Sequence, residues 1–232
     1  MATKRLRAKA EAELKKKLLE ETKQKEKPTI FFNGKVEYCI TFIDCAAVCD
    51  KLLEEANSKP DLFPIGFDLE WRFTFQAGSE KTALIQLCVD FEKVYLLHVI
   101  NFKTLPKSLN CLLSCKNVRL VGVNIKNDIR KLARDFPGLD VESFINNCID
   151  SGVQANNILP VTQRWSMERL VDYLFEMRLN KNKKIRCSKW NIVPLNKEQK
   201  AYAATDAFVS LKLYTHLKTL EKENLLQQAN IQ

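Results

Sequence analysis

The sequence has no long apolar run, and this absence excludes one class of protein. A transmembrane helix needs roughly 18 or more consecutive apolar residues, and no run in the 232 residues approaches that length. The first residues are charged rather than apolar, which argues against a secretory signal peptide at this end. We therefore expect no association with a membrane.

The cysteine and histidine spacings of a structural zinc site are also missing. The eight cysteines include C-x-x-x-C pairs at 45/49 and 111/115, on predicted helices, but no C-x-x-C pair. The two histidines, His98 and His216, lie far along the chain from these pairs. Most cysteines lie in apolar segments, which predicts buried free thiols and a reducing compartment, the cytosol or the nucleus.

Positive charge is in excess. The net charge is +9, and residues 1–30 hold ten basic and five acidic residues, so they contribute +5 of it. The balance favours a polyanionic partner, although solubility alone also explains it. The clusters Lys4–Arg7 and Lys15–Lys17 predict a nuclear-targeting or phosphate-binding segment, with a solvated helix or tail as the alternative. We divide the chain into a basic lead, 1–27, and one domain, 28–232.

The domain alternates strand and helix patterns. Two short strands are expected around the turn dipeptide Asn33-Gly34, followed by an amphipathic helix over 43–57. Three β-rich runs with short connections then predict an antiparallel meander. A further strand and a helix follow, and the remainder from about Phe144 is expected to be mostly helical. The meander runs are Ile65–Phe73, Thr82–Asp90 and Lys93–Val99. This order predicts an α/β fold with a central mixed sheet flanked by helices.

Asp68 and Glu70 are two carboxylates on an otherwise apolar predicted strand. Side chains alternate along a strand, so both point to one face. Like charges repel and resist desolvation, and a hard divalent cation would compensate them. An edge strand with two solvated acids is the alternative explanation for this spacing.

Three further residues belong to the same hypothesis. Asp128 lies at the start of a predicted helix after an apolar strand, where an acid also stabilises the helix dipole. Tyr202 and Asp206 share one face of a later helix, where they form either a hydrogen-bonded pair or a metal ligand beside a phenol. Four acids and a tyrosine predict a two-metal site that cleaves phosphodiester bonds.

Four ordered segments resemble the successive motifs of the DEDD exonuclease superfamily: Gly66–Trp71, Ala83–Cys88, Gly122–Asp128 and Tyr202–Asp206. The tyrosine four residues before the last aspartate is similar to the Tyr-bearing branch of that superfamily. Within it the chain most resembles the exonuclease domain of the Werner syndrome protein and its stand-alone relatives. The resemblance covers roughly residues 28–220.

The resemblance implies a ribonuclease H-like fold and 3′→5′ exonuclease activity on DNA with two divalent ions, Mg²⁺ or Mn²⁺. It assigns Asp68, Glu70 and Asp206 to the first ion, with Asp68 bridging to the second. It places Asp128 in the shell of the second ion and makes Tyr202 the residue that orients the attacking water.

A basic segment, 178–190, holds six basic residues and Trp190. Taken together with the resemblance, the segment predicts an element that binds the phosphates along a nucleic-acid strand. A solvated loop is the alternative. Trp190 itself is expected in the core. If the end of the strand is exposed, we expect Leu69 to wedge against the terminal base; otherwise the alternation of side chains along the strand directs it into the core. The predicted nucleic-acid contacts are Leu69, Trp71, Lys183, Lys184, Arg186 and Lys189.

The substrate is left open between DNA and RNA. DNA replication or repair in the nucleus follows from the resemblance, while an RNA exonuclease of the ribonuclease D type is the second hypothesis. A catalytically inactive nucleic-acid-binding module is the third. No helicase motifs follow the domain, so we expect either a free-standing exonuclease or a piece of a longer protein.

Overall fold

The computed structural model describes residues 13, 15, 26–74, 76 and 78–229. Apart from residues 13, 15, 26 and 27, the predicted basic lead lies outside the described residues. The described helices are α1 (Phe42–Ser58), α2 (Lys107–Ser114), α3 (Ile125–Asp135), α4 (Val141–Asn146), α5 (Ser151–Ile158), α6 (Met167–Phe175), α7 (Lys183–Arg186) and α8 (Lys197–Ala229). The described strands are β1 (Thr29–Ile30), β2 (Lys35–Cys39), β3 (Phe63–Thr74), β4 (Gly78–Cys88), β5 (Lys93–His98), β6 (Val118–Gly122), β7 (Cys148–Asp150) and β8 (Arg178–Leu179).

A six-stranded mixed sheet in the order β2-β5-β4-β3-β6-β7 forms the centre of the fold. Strand β4 pairs antiparallel with both β3 and β5, which confirms the predicted meander. Strand β2 runs parallel to β5, and β6 runs parallel to both β3 and β7. Strands β1 and β8 pair separately as a parallel ribbon. The predicted mixed sheet flanked by helices is therefore confirmed.

The two faces of the sheet bury different parts of the chain. On one face, Phe67 and Leu69 of β3 lie in a core cluster with buried residues of α1 to α4. On the opposite face, Leu84 and Leu96 pack with Ala203 and Ala207 of the long helix α8. Because side chains alternate along β3, Asp68 and Glu70 project from the face on which α8 packs.

Gly66 allows α8 to approach β3 closely. A Cβ atom at this position would lie 2.2 Å from the Ala207 carbonyl oxygen and 2.8 Å from the Leu211 amide nitrogen. Only a residue without a side chain permits that approach. The strand that holds Asp68 and the helix that holds Asp206 are thereby brought into direct backbone contact.

The predicted hairpin at Asn33-Gly34 is wrong. Strand β1 pairs with β8 and strand β2 pairs with β5, so the two strands around this dipeptide belong to different sheets. Gly34 is needed for another reason, because a Cβ atom there would lie 2.2 Å from the Glu92 carbonyl oxygen, which accepts a hydrogen bond from the Lys35 amide. The glycine reflects a close approach of backbones and not a two-residue turn.

Other expectations are confirmed in part. Helix α1 and Trp190, which has no exposed surface, are found as predicted. Strands β7 and β8 occur in the part expected to be mostly helical. Of the eight free cysteines, four are buried and two are exposed, so burial holds for half of them and not for most. None of the described helices is both long enough and apolar enough to cross a membrane.

Candidate active site

Three of the predicted acids meet where β3 and α8 touch. One carboxylate oxygen from each of Asp68, Glu70 and Asp206 lies within 4.8 Å of the others. Glu70 and Asp206 are buried, and Asp68 is partly exposed. They line a cleft of about 430 Å³, whose other walls include Trp71 and Tyr202. Residues 136 positions apart along the chain thus form one acidic cluster (206 − 70 = 136).

The cluster is electrostatically unfavourable. Burial raises the pKa of Asp68 to about 7, and the negative charge of Asp206 adds to the shift. Burial and the charges of Asp68 and Asp206 also raise the pKa of Glu70 well above its usual range. For Asp206, burial raises the pKa while Lys181 opposes the rise. The carboxylates therefore lack sufficient positive charge among the described residues.

Lys181 supplies part of that positive charge, and sequence reasoning missed its position. Its Nζ atom lies 2.7 Å from Oδ2 of Asp206, and the two side chains are 17% and 3% exposed. The ammonium also lies 5.4 Å from the centre of the Tyr202 ring. Lys181 belongs to the basic segment noted from the sequence, but no local pattern separates it from the other lysines there.

Tyr202 lies one turn before Asp206 on α8, as its spacing predicted. Its hydroxyl hydrogen-bonds Asp206 and lowers the pKa of that carboxyl group. Burial raises the pKa of the Tyr202 phenol, and the charges of Asp206 and Glu70 raise it further. The phenol therefore stays protonated and can donate a hydrogen bond at neutral pH.

Asp128 lies at the edge of the site and outside the three-carboxylate cluster. It occupies the first turn of α3, as expected. Burial raises its pKa to about 8, with further contributions from Asp68 and Asp150. Asp150 was missed from the sequence; it ends β7 and caps α5, accepting a 2.9 Å hydrogen bond from the Gly152 amide. The structure thus places a second pair of acids beside the first cluster.

The donor set fits hard divalent cations. Carboxylate oxygens are the ligands that Mg²⁺ and Mn²⁺ prefer, and a cation would offset the burial that raises the pKa of each acid. Gln86 supports this fit, because it pairs directly across from Asp68 in the β3–β4 register. Its side chain is buried, and among the described residues neither amide atom has a hydrogen-bond partner. A polar group left in this way is typical of a site that contains an additional ligand or water.

The predicted nucleic-acid contacts occupy different environments. Arg186 is exposed and lines the acidic cleft. Trp71 is partly buried against the core and also lines the cleft, whereas Leu69 is only 3% exposed and lies in the core cluster. Leu69 nevertheless lines the cleft, so its contact with a terminal base stays a prediction. The remaining three, Lys183, Lys184 and Lys189, are exposed. They lie close along the chain to Arg186, but they are not among the residues that line the cleft.

The basic segment is fixed to the sheet by a buried network. Trp190 donates from Nε1 to the Arg186 carbonyl at 2.9 Å, and its own carbonyl lies 2.9 Å from His98 Nε2. His98 Nδ1 lies 2.6 Å from the Tyr38 hydroxyl, which accepts from the Leu195 amide at 3.0 Å. Burial lowers the pKa of His98, so it stays neutral in this network. Arg186 is consequently held on an ordered backbone beside the acids.

The amino-acid sequence is similar to those of known proteins. Residues 40–221 match the family model described as 3'-5' exonuclease. The chain is 40% identical over 210 residues to a protein named 3'-5' exonuclease from Drosophila erecta. That alignment covers 90% of this chain and 59% of the relative, so the chain spans little more than half of the relative's length.

Solved structures share the fold. The catalytic core of RRP6 from Trypanosoma brucei superposes with a TM-score of 0.66 at 21% identity, over 87% of this chain and 52% of that one. Trypanosoma brucei RNase D in complex with RNA U12 gives 0.59 at 21%, over 79% and 63%. Brucella melitensis NrnC with bound Mg²⁺ gives 0.58 at 14%, over 84% and 85%. These similarities confirm the predicted ribonuclease H-like fold.

Proposed function

The chain belongs to the 3′–5′ exonuclease family, and we propose that it removes nucleotides from the 3′ end of DNA with the help of two divalent ions, Mg²⁺ or Mn²⁺. The observation that supports this most is the cluster formed by Asp68, Glu70 and Asp206, whose ligand atoms lie within 4.8 Å of one another. A protein that only binds nucleic acid has no need for buried carboxylates facing a phosphate chain.

The acids divide into two groups. Asp68, Glu70 and Asp206 would hold the first ion. Asp68, whose charge raises the pKa of Asp128, would be shared with the second ion. Asp128 would contact the second ion through water, since it lies outside the cluster. Bound there, the ions would neutralise the scissile phosphate and lower the pKa of a water molecule to near neutrality.

Tyr202 would orient the attacking water. Its hydroxyl stays protonated because burial and the nearby carboxylates raise its pKa, and it hydrogen-bonds Asp206, one of the proposed metal ligands. A phenol held in this way can donate or accept one hydrogen bond without changing its charge. The tyrosine also supports our proposal that the chain belongs to the Tyr-bearing branch of the superfamily.

Basic residues beside the cleft would hold the strand. Arg186 lines the cleft with the acids and is anchored by Trp190. A guanidinium at this point can bind phosphate in bidentate fashion. The exposed residues Lys183, Lys184 and Lys189 would extend this surface along the backbone of the nucleic acid, with Trp71 available at the cleft wall.

DNA is our first choice of substrate, and RNA is the alternative. We choose DNA because the sequence motifs resemble those of the Werner exonuclease domain, and this resemblance also leads us to propose a nuclear role in replication or repair. RNA is favoured by a different observation, the similarity of the fold to an RNase D bound to RNA.

A labelled-substrate assay tests the proposal. A 5′-labelled, 3′-recessed DNA duplex and an RNA oligonucleotide of the same sequence are incubated with Mg²⁺, with Mn²⁺ and with chelator. We expect a ladder that shortens from the 3′ end of the DNA and depends on the metal. A ladder from RNA alone would select the alternative, and tight binding without cleavage of either substrate would refute an exonuclease.

A further inference from the structure

Lys181 is the one cation of the described cleft that contacts a proposed metal ligand directly. Its Nζ atom lies 2.7 Å from Asp206 Oδ2, and only 17% of its side chain is exposed. Arg186 also lines the cleft, but it is exposed and forms no ion pair with the acids among the described contacts. The ammonium group therefore contacts the carboxylate that a bound metal ion would also contact.

The backbone on both sides of Lys181 is ordered, so its position is not that of a freely moving surface chain. Leu179 of β8 is buried and pairs with Ile30 of β1. On the other side, the Asn182 side chain accepts a 2.9 Å hydrogen bond from the Lys184 amide at the start of α7. Two fixed elements thus hold the intervening residue at the acids.

The surroundings of the ammonium are almost entirely negative. Burial lowers the pKa of Lys181, but the charges of Asp206, Asp68 and Glu70 raise it by more, so the net shift is upward. Tyr202 adds the face of its ring at 5.4 Å. Lys181 is therefore a permanent positive charge at neutral pH, inside the cluster that would bind the first ion.

An ammonium and a divalent ion cannot both lie against the same carboxylate oxygen without strong repulsion. We propose that Lys181 is an internal countercharge that competes with the first divalent ion for Asp206. The ion must displace the ammonium before it binds, so Lys181 sets the metal concentration that the site requires. This inference rests on the proposed metal site and goes beyond it by naming the residue that tunes metal affinity.

Displacement has room to occur. Lys181 lines the acidic cleft and also a neighbouring cleft of about 460 Å³, whose walls include Glu168 and Asn180. A lysine side chain has four rotatable carbon bonds, so it can leave Asp206 while its backbone stays fixed. Lys181 thus affects the metal site through its contact with Asp206.

Calorimetric titration of the metal-free chain with MnCl₂ at pH 8, in the absence of nucleic acid, tests the proposal. Lys181→Met removes the competing charge, and we expect Mn²⁺ to bind about tenfold or more tightly. Lys181→Arg keeps the charge and should stay within about threefold of wild type. The control Lys197→Met removes the same charge from an exposed position at the start of α8 and should leave the affinity unchanged.

The outcomes are distinct. Unchanged or weaker binding by Lys181→Met would overturn the proposal, as would an equal gain in Lys181→Arg. If Lys181→Met does not fold, Lys181→Gln is titrated instead, because it removes the charge and keeps an N–H donor on a side chain one bond shorter; a Gln variant no tighter than wild type would likewise overturn the proposal.

Failure of the proposed function can be told apart from this result. A wild-type chain that binds Mn²⁺ but degrades neither DNA nor RNA would refute the exonuclease while the titration still decides the role of Lys181. Where the wild type is active, Lys181→Met should reach half-maximal activity at a lower Mg²⁺ concentration. An unchanged or higher requirement would contradict the competition.

Discussion

Replacing Asp68 with asparagine should stabilise the metal-free protein at pH 8 while abolishing its metal site. Burial and the neighbouring Asp206 charge hold the pKa of Asp68 at about 7 in the folded chain, against a usual value near 4 in an unfolded one. Ionising this group therefore costs folding free energy. Asparagine keeps nearly the same shape and removes the charge.

The sign and size follow from proton linkage. A carboxyl group whose folded pKa is raised binds more protons in the folded state, so its contribution to stability is complete below about pH 4 and is lost as the pH rises to about 7. Three pKa units correspond to about 4 kcal/mol. Because Glu70 and Asp206 can take up protons in its place, we expect a gain on the order of 2–4 kcal/mol for Asp68→Asn at pH 8.

Urea unfolding in the presence of chelator, followed by tryptophan fluorescence, measures this gain; the buried Trp190 contributes to that signal. The advantage of Asp68→Asn should shrink as the pH is lowered from 8 towards 4. Asp61→Asn, at an exposed position, serves as the control and should change little at any pH. Added Mn²⁺ should raise the stability of the wild type and not that of Asp68→Asn.

The reasoning would be refuted by one result above all. If Asp68→Asn is less stable than wild type at pH 8 without metal, then the ionised Asp68 carboxylate does not lower the stability of the folded protein. A gain that is the same at pH 8 and pH 4 would also contradict the electrostatic origin, because asparagine would then be improving packing.

Three further predictions concern the same contact between strand and helix. Asp206→Ala should reduce exonuclease activity to background while circular dichroism stays native, and full activity with Mg²⁺ or Mn²⁺ would remove Asp206 from the site. Tyr202→Phe loses only a hydroxyl group, so single-turnover cleavage should slow by about 100-fold with Mn²⁺ affinity unchanged; an unaltered rate would exclude the assigned role. Gly66→Ala would place a Cβ atom 2.2 Å from the Ala207 carbonyl oxygen, and we expect a loss of about 1–3 kcal/mol in urea unfolding. A loss below about 0.5 kcal/mol would show that α8 can move away from β3 without cost.

The sequence predicted those parts of the fold that depend on neighbouring residues. Helix α1 and the meander β3–β5 follow from apolar periodicity over a dozen residues or more, and both are found. The hairpin at Asn33-Gly34 was wrong because the same dipeptide serves equally for a tight turn or for close backbone approach, and only the partner Glu92 distinguishes them. Strand β7 was missed because three residues are too few to show a period.

For the candidate site, the sequence alone determined which acids and which tyrosine to consider, since alternation places Asp68 and Glu70 on one face and helical spacing aligns Tyr202 with Asp206. Only the tertiary structure decided that three of these acids form one cluster, that Asp128 lies apart from it beside Asp150, and that Leu69 is in the core. The contact of Lys181 with Asp206 was likewise decided by the tertiary structure. The physical reason is that periodicity reports the direction of a side chain relative to its own strand or helix, whereas the meeting of β3, α8 and the segment around Lys181 depends on how distant elements pack, through contacts such as Gly66 against Ala207.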